Sequence, residues 1–326
     1  MAPQYNAQTT ASELVAEFAN NIKGKVVLTT GVSPDSLGAA FVEAVARASP
    51  ALLILAGRNT VKTNETASVL TKLYPDVQTR TLQLDLGSTQ AVREAAATVH
   101  SWADVPKIDV LINNAGIMAV EYGLSPDGVE KQFATNHLGH FLLTNLLMGK
   151  ILASNTPRIV NVSSDGHRFS HIRFDDYNFD NSKTYNKWIA YGQSKTANML
   201  TAVSLADKLA GKGLLAFSLH PGVISTNLAG HIDWVADVAE LRAVDKALGN
   251  KEGWSEFNYK SQDQGVATTV FAAFSPALEA HNGAYLQDSH IADPWTETVK
   301  PWATSRIEAE RLWKLSEKLA GEEFRY

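Results

Sequence analysis

The chain has 326 residues, 45% hydrophobic and 19% charged, and its 29 Lys+Arg against 34 Asp+Glu leave a net charge of −5. So apolar a composition fills a core and is not that of a disordered chain. The slight acidic excess, with no basic block, argues against nucleic acid or an anionic membrane as the main partner. The absence of cysteine excludes disulfides, thiolate metal sites and cysteine nucleophiles.

Residues 1–21 read as a polar tail and a short helix, Ser12–Asn20, with Leu14, Val15 and Phe18 at helical spacing behind Thr10, Ser12 and Glu13. The opening residues lack the basic-then-apolar order of a secretory signal. No apolar run approaches the roughly 18 residues that span a bilayer, so no membrane anchor and a cytoplasmic location are expected. Strands and helices then alternate. KVVLTT (25–30) is a β-branched strand, followed by a Gly-containing loop and a helix to about Ala48. ALLILA (51–56) is a second strand, Asn64–Tyr74 a helix ended by Pro75, VQTRTLQL (77–84) a third strand and Thr89–His100 a third helix. IDVLIN (108–113) and RIVNVS (158–163) flank a helix over Val129–Ile151. Lys187–Leu209 is a long helix, LLAFSLH (214–220) a sixth strand and GAYL (283–286) a short seventh.

Continuous apolar strands, each followed by a helix, imply a parallel sheet covered on both faces, and the two βαβαβ halves a doubly wound α/β sheet of Rossmann type. No repeat, linker or break in composition divides the chain, so residues 1–326 are expected to form a single domain. Two longer segments, 165–187 and 224–262, follow strand ends, where open α/β sheets bind ligands.

TTGVSPDSLGAA (29–40) joins the first strand to the first helix. Gly31 can make the tight turn, Gly38 lets the helix pack close to the strand, and the helix N-terminus offers free N–H groups to a pyrophosphate. The loop resembles the T-G-x-x-x-G-x-G of the short-chain dehydrogenase/reductase family. Thr30-Gly31 and Gly38 match its ends, with one residue more between them and Ser36 in place of the middle glycine. Asp35 either caps the helix with its side chain outward or weakens the site. Under this resemblance the loop residues Gly31, Ser33, Ser36, Leu37 and Gly38 bind the cofactor. Arg58, in AGRN (56–59), stands where an acid would receive the ribose diol of NAD, and can fork onto a 2′-phosphate. The expected cofactor is therefore NADP(H). Asp85 and Leu86 match the adenine side, and NNAG (113–116) assigns Asn113, Ala115 and Gly116 to the same wall.

YGQSK (191–195) places Tyr191 and Lys195 at i and i+4 on one helical face. A phenol, with a pKa of about 10, needs a nearby cation to trade protons near neutrality. RIVNVSSDGH (158–167) supplies Ser164, which the resemblance gives the task of bonding the substrate oxygen, and ATNHLGHFLLT (134–144) supplies Asn136, which interrupts its helix and links the lysine to solvent through a water. HPGVISTNL (220–228) adds Pro221, Gly222, Val223 and Thr226 beside the nicotinamide, with Tyr191 and Lys195 also touching the cofactor. TNHLGHFLLT, the gap between Ser164 and Tyr191, and LWKLSEKLAG (312–321) resemble the retinol-dehydrogenase-like branch, whose members often act on lipophilic alcohols and carbonyls.

The resemblance implies hydride transfer between nicotinamide and a carbonyl or secondary alcohol of a small-molecule substrate. It also implies a homodimer formed through the helices carrying Asn136 and Tyr191. Two other readings are a cofactor-binding regulatory protein without turnover and an extended-branch epimerase or dehydratase. His137 and His140 lack a third ligand for a metal. His167 and His171 either line the substrate pocket or lie in an exposed loop, and Trp234, Trp254, Phe257 and Tyr259 belong either to a substrate lid over 224–262 or to the core.

Overall fold

The computed structural model describes residues 5–326, so the first four residues of the expected N-terminal tail lie outside the described residues. Its strands are β1 (Val26–Thr30), β2 (Leu52–Gly57), β3 (Gln78–Gln83), β4 (Val110–Asn113), β5 (Arg158–Val162), β6 (Leu215–His220), β7 (Val223–Ile224), β8 (Tyr259–Lys260), β9 (Tyr285–Gln287) and β10 (His290–Ile291). Eight form one sheet in the order β10-β9-β6-β5-β4-β1-β2-β3, and only the β9/β10 pair is antiparallel. The strand order reverses between β1 and β4, which makes that edge the switch point of a doubly wound sheet.

Burial on both faces explains why the strands read as apolar runs. Val27, Leu53, Leu55, Ile112, Val160 and Leu219 pack under the helices Ala11–Glu17, Leu37–Ala46 and Gln262–Phe274. Their neighbours Leu28, Ile54, Leu111, Ile159 and Ala216 pack under Thr89–Ser101, Gly139–Leu146, Lys187–Leu209 and Arg306–Ala320. Two apolar layers thus share one sheet, and the chain folds as the single doubly wound domain that the alternation implies. Among the described residues no helix is long and apolar enough to cross a membrane.

Three helices depart most from the expected ones. The first helix ends at Glu17, and a second short one, Ala19–Ile22, continues the chain. The helix expected from Asn64 begins at Thr60, because the Asn59 side chain accepts the Lys62 N–H at 3.2 Å and caps it there. The helix expected over Val129–Ile151 is broken: Lys131–Phe133 passes through a π turn, Ala134–Leu138, into Gly139–Leu146 and then Met148–Leu152. Gly139 presses on the Leu86 backbone, where a Cβ would lie 2.9 Å from the Leu86 Cα.

The C-terminal helix Arg306–Ala320 adds to the cover on one face of the sheet. It packs along Lys187–Leu209, with Trp313 edge-on to Phe141 at 4.9 Å and His137 bonded to Ser316 at 2.7 Å. The last residues continue the cover, Phe324 against Phe141 and Tyr326 bonded to Asn145 at 2.6 Å. The helices of Asn136 and Tyr191 are therefore covered in part by the chain's own C-terminal segment. Trp313 is 3% exposed, so Trp313→Ala should cost about 3–5 kcal/mol of stability, measured by urea unfolding, with the urea dependence of the transition unchanged; a loss under 1 kcal/mol would show that this helix is only loosely attached.

Candidate active site

The turns leaving β1 to β6 enclose a cleft of about 590 Å³ at the C-terminal edge of the sheet. Gly31 has φ +75°, and a Cβ on it would lie 2.7 Å from the Ala115 Cα; a Cβ on Gly38 would lie 2.7 Å from Asn114 Nδ2. Both positions need glycine, one for its turn and both for close approach. Ser36 accepts the Ala39 N–H at 3.1 Å and donates to the Gly31 carbonyl at 3.0 Å. The cap expected of Asp35 is thus made by Ser36. Asp35 itself is exposed with φ +60° and stands outside the cleft wall, so the extra residue of the loop is absorbed as an outward bulge. Ser33, Ser36 and Leu37 line the cleft, and the N-terminus of Leu37–Ala46 opens onto it.

Arg58 lines the cleft at the end of β2, and Lys62, one helical turn further on, joins it. Asp85 lines the next turn and accepts the Gly87 N–H at 2.9 Å, beside Leu86. Asn113 is the last residue of β4, and its side-chain amide donates inward to Asn161 Oδ1 at 2.8 Å and Thr144 Oγ1 at 3.0 Å. Asn114 stands at the wall, donating to the carbonyls of Thr30 at 2.8 Å and Gly31 at 3.2 Å, followed by Ala115 and Gly116. On the far side Pro221, Gly222, Val223 and Thr226 complete the wall. A glycine-floored groove that a Cβ would fill, a helix N-terminus and two cations together fit an anionic dinucleotide.

Ser164, Tyr191 and Lys195 meet in the middle of the cleft. Ser164 follows β5 and accepts the Gly166 N–H at 3.0 Å. A Cβ on Gly166 would lie 2.9 Å from Tyr191 Cε1 and 3.3 Å from Ser164 Oγ, so this glycine makes the room in which serine and phenol stand side by side. The Lys195 ammonium sits 5.5 Å from the centre of the Tyr191 ring and donates to the Val162 carbonyl at 3.1 Å. Burial brings Lys195 down to about 8. Burial also raises the Tyr191 phenol above its usual value, with the Ser164 hydroxyl opposing. Of the influences on the phenol, desolvation is the largest.

Asn136 is buried in the π turn. Its Oδ1 accepts the Ile117 N–H at 2.8 Å, and its Nδ2 donates to the Ile117 carbonyl at 2.8 Å and to Ser194 at 2.9 Å. One side chain so ties the turn after β4 to the helix of Tyr191. His140 donates from Nδ1 to the Asn136 carbonyl at 3.0 Å and leaves Nε2 to the Thr30 hydroxyl at 2.8 Å, while burial holds it neutral with a pKa of about 4. It is a structural group, as is His137.

Neither open histidine lines the cleft. His167 is buried beneath it, with Nδ1 on the Ser164 carbonyl at 2.8 Å, and His171 is exposed outside. Of the four aromatic residues in 224–262, Trp234 and Phe257 line the cleft, while Trp254 and Tyr259 face solvent. This segment carries a helix, Ala236–Ala247, and the small β7/β8 pair. With Met118, Phe169, Trp188, Ile232 and Leu241 it makes one end of the cleft apolar. The sequence reading missed Lys62 because it began the helix too late, and Asn114 because it did not apply strand alternation to NNAG. Nothing local marked Gly166.

The short chain dehydrogenase family profile matches residues 25–178. Over 305 residues the chain is 38% identical to the chloroplastic short-chain dehydrogenase TIC 32 B of Brassica napus, covering 90% of this chain and 87% of that protein. It is 36% identical to mouse retinol dehydrogenase 14 over 308 residues, 91% of this chain and 86% of the other. It is also 36% identical to the short-chain dehydrogenase/reductase prx1 of Penicillium rubens over 326 residues, 96% and 91%. Among solved structures, an uncharacterised protein from Mycobacterium paratuberculosis aligns with a TM-score of 0.68 at 32% identity, over 94% of this chain and 96% of that one. NADPH-bound carbonyl reductase from chicken fatty liver shares the fold, with a TM-score of 0.60 at 18% identity over 83% and 99%. The chain belongs to the short-chain dehydrogenase/reductase family, in its retinol-dehydrogenase-like branch, and is an oxidoreductase of the kind that works with a nicotinamide cofactor.

Proposed function

We propose that the protein is an NADP(H)-dependent carbonyl reductase or alcohol dehydrogenase acting on a lipophilic small molecule. The observation that carries this reading is the layout of one cleft: two cations at one end, Ser164 and Tyr191 in the middle, and an apolar chamber at the other end. When bound, the nicotinamide supplies or accepts the hydride. Gly31, Ser33, Ser36, Leu37 and Gly38 would cradle its phosphates, Asp85, Leu86, Ala115 and Gly116 its adenosine side, and Pro221, Gly222, Val223 and Thr226 its nicotinamide side.

The protein's own part is proton handling and position. In reduction the Tyr191 phenol gives its proton to the substrate oxygen, and Ser164 donates a hydrogen bond to the same oxygen, stabilising charge as it develops there. Lys195, cationic below about pH 8, favours the phenolate that is left and passes a proton back. Asn136 holds the helix turn beside Ser194 and supports the path by which Lys195 exchanges with solvent. Tyr191→Phe should lower kcat at least ~100-fold while cofactor fluorescence still reports binding; turnover near wild type would end this mechanism.

Arg58 and Lys62 support the cofactor choice, since both stand at the end of β2, where the ribose 2′ position lies in dinucleotide sites. A charge-assisted contact is worth about 1.5–3 kcal/mol, roughly ten- to a hundredfold in affinity. Arg58→Ala is expected to raise the Kd for NADPH by that factor and leave NADH nearly unchanged, by fluorescence titration. A wild-type preference for NADH refutes the choice.

The 224–262 segment acts in this reading as a substrate cover. Trp234 is half-exposed at the cleft rim, and Ile232, Leu241 and Phe257 line the wall behind it. Trp234→Ala should cost bulky hydrophobic ketones roughly tenfold in kcat/KM, about 1.4 kcal/mol of apolar contact, with small polar ketones unaffected. Equal losses on both classes would assign Trp234 to folding rather than to substrate.

A further inference from the structure

Beside Ser164 begins a chain of charge, partly exposed at Asp165 and buried at Arg168 and Asp245, that the proposed chemistry does not use. Asp165 accepts the Ser164 hydroxyl at 3.2 Å through Oδ1, and its Oδ2 pairs with Arg168 Nη1 at 2.8 Å. Arg168 is 3% exposed and forks onto Asp245 of the helix Ala236–Ala247, Nε to Oδ1 and Nη2 to Oδ2, both at 2.8 Å. Glu252 lies 3.9 Å from the same guanidinium, and Asn250 donates to Asp245 at 3.0 Å. One cation thus serves three carboxylates, and the one nearest the reacting groups is Asp165.

So costly a buried cluster needs a reason. It cements the segment over the substrate to the turn that carries Ser164, but apolar residues would do that as well or better. What apolar residues cannot do is set a field. Asp165 shares its turn with Ser164 and Gly166, and Gly166 leaves less than a methyl group's space between that turn and the Tyr191 ring. We propose that Asp165, clamped by Arg168, is a positioning residue of the Ser164–Tyr191 pair, orienting the serine hydroxyl and setting the electrostatic field at the phenol oxygen. The inference rests on the proposed role of Tyr191 as proton donor.

The signs follow from simple electrostatics. A carboxylate beside a proton donor opposes loss of the proton, and a cation favours it. Burial raises the Tyr191 phenol first, Ser164 opposes this, Asp165 adds to it and Arg168 works against it. Asp165 itself stays ionised: burial opposes its charge, but His220 and Arg168 outweigh that and hold the carboxyl at about 2. The groups facing Asp165 are His167 and Arg168 on its own turn, His220 of β6 with Nε2 3.8 Å away, Tyr285 of β9 and Tyr191 of the long helix. Lys260 and Asp288 face His220 from behind, and Lys195 faces Tyr191. Burial lowers His220 while Asp165 raises it, and Arg168 is the cation that pairs with Asp165 directly. The arrangement keeps Tyr191 in its acid form, the form a carbonyl reductase needs.

The experiment is the alkaline limb of the pH profile of kcat/KM for ketone reduction, measured on the full chain with saturating cofactor. Whether the proton is lost from the phenol or from Lys195, removing a neighbouring negative charge moves the limb to lower pH, and removing a positive one moves it higher. Asp165→Asn, nearly isosteric, is expected to shift it acidward by about one pH unit. Arg168→Met is expected to shift it the other way. Should Arg168→Met not fold, with Asp245 left unpaired, Asp245→Asn replaces it and gives a smaller acidward shift. A purely structural cluster would lower stability and the height of the profile while leaving the limb in place. A limb unmoved in Asp165→Asn, or moved alkaline, overturns the proposal. Tyr191→Phe separates the two levels: if it keeps full turnover the mechanism itself fails, and if it loses turnover while Asp165→Asn leaves the limb fixed, only the role of Asp165 fails.

Discussion

The site depends on one buried amide. Asn136 makes all its bonds away from its own helix, grasping the Ile117 backbone by both N–H and C=O and reaching Ser194 with the remaining hydrogen. A side chain so engaged cannot sit in an ordinary helical turn, and the backbone answers with the π turn Ala134–Leu138. Such single-turn departures gather at functional sites. Here the departure brings the turn after β4, the helix of Tyr191 and the end of β1 to one point, because His140, four residues on, bonds both the Asn136 carbonyl and Thr30. Thr30 in turn accepts the N–H groups of Asn114 and Ala115. Cofactor wall and reacting groups are thereby held by one network with little freedom to move independently.

A second constraint is desolvation. Lys195, Tyr191, His140 and His167 are all buried, and burial is the largest influence on each of them. Burial disfavours charge, so it lowers the two histidines and the lysine and raises the phenol. Asp165 keeps its charge against that trend, held by His220 and Arg168. The reacting centre is therefore a low-polarity chamber with charge admitted at selected points, where each charge is felt more strongly than in water.

Much of this was legible in the residues. Strands buried on both faces carry apolar residues at every position, so β1, β2, β4, β5 and β6 stood out wherever the two layers meet the sheet. The long helix was placed at its observed ends, Lys187 and Leu209, since Asn186 caps it by accepting two N–H groups at 3.0 Å. Gly31 and Gly38 were marked as a tight turn and a close approach, and both proved to be so. The Asn113 side chain turns inward for a reason no motif shows: the residue belongs to the strand ladder, paired with Asn161, and only the next residue has left the sheet.

By itself the sequence determined the alternation of strands and helices, hence the doubly wound sheet, and the residue types at the strand ends that define the family. These are local matters, set by hydrophobic period, turn chemistry and short motifs. What only the tertiary structure decided are contacts between segments far apart in the chain. The helix Arg306–Ala320 covers the helices of Asn136 and Tyr191, Asp245 meets Arg168 across 77 residues, and the outward bulge turns Asp35 away from the cleft. No period or motif encodes such pairings. They follow from which surfaces remain to be buried once the sheet has formed, and only the packed chain reveals them.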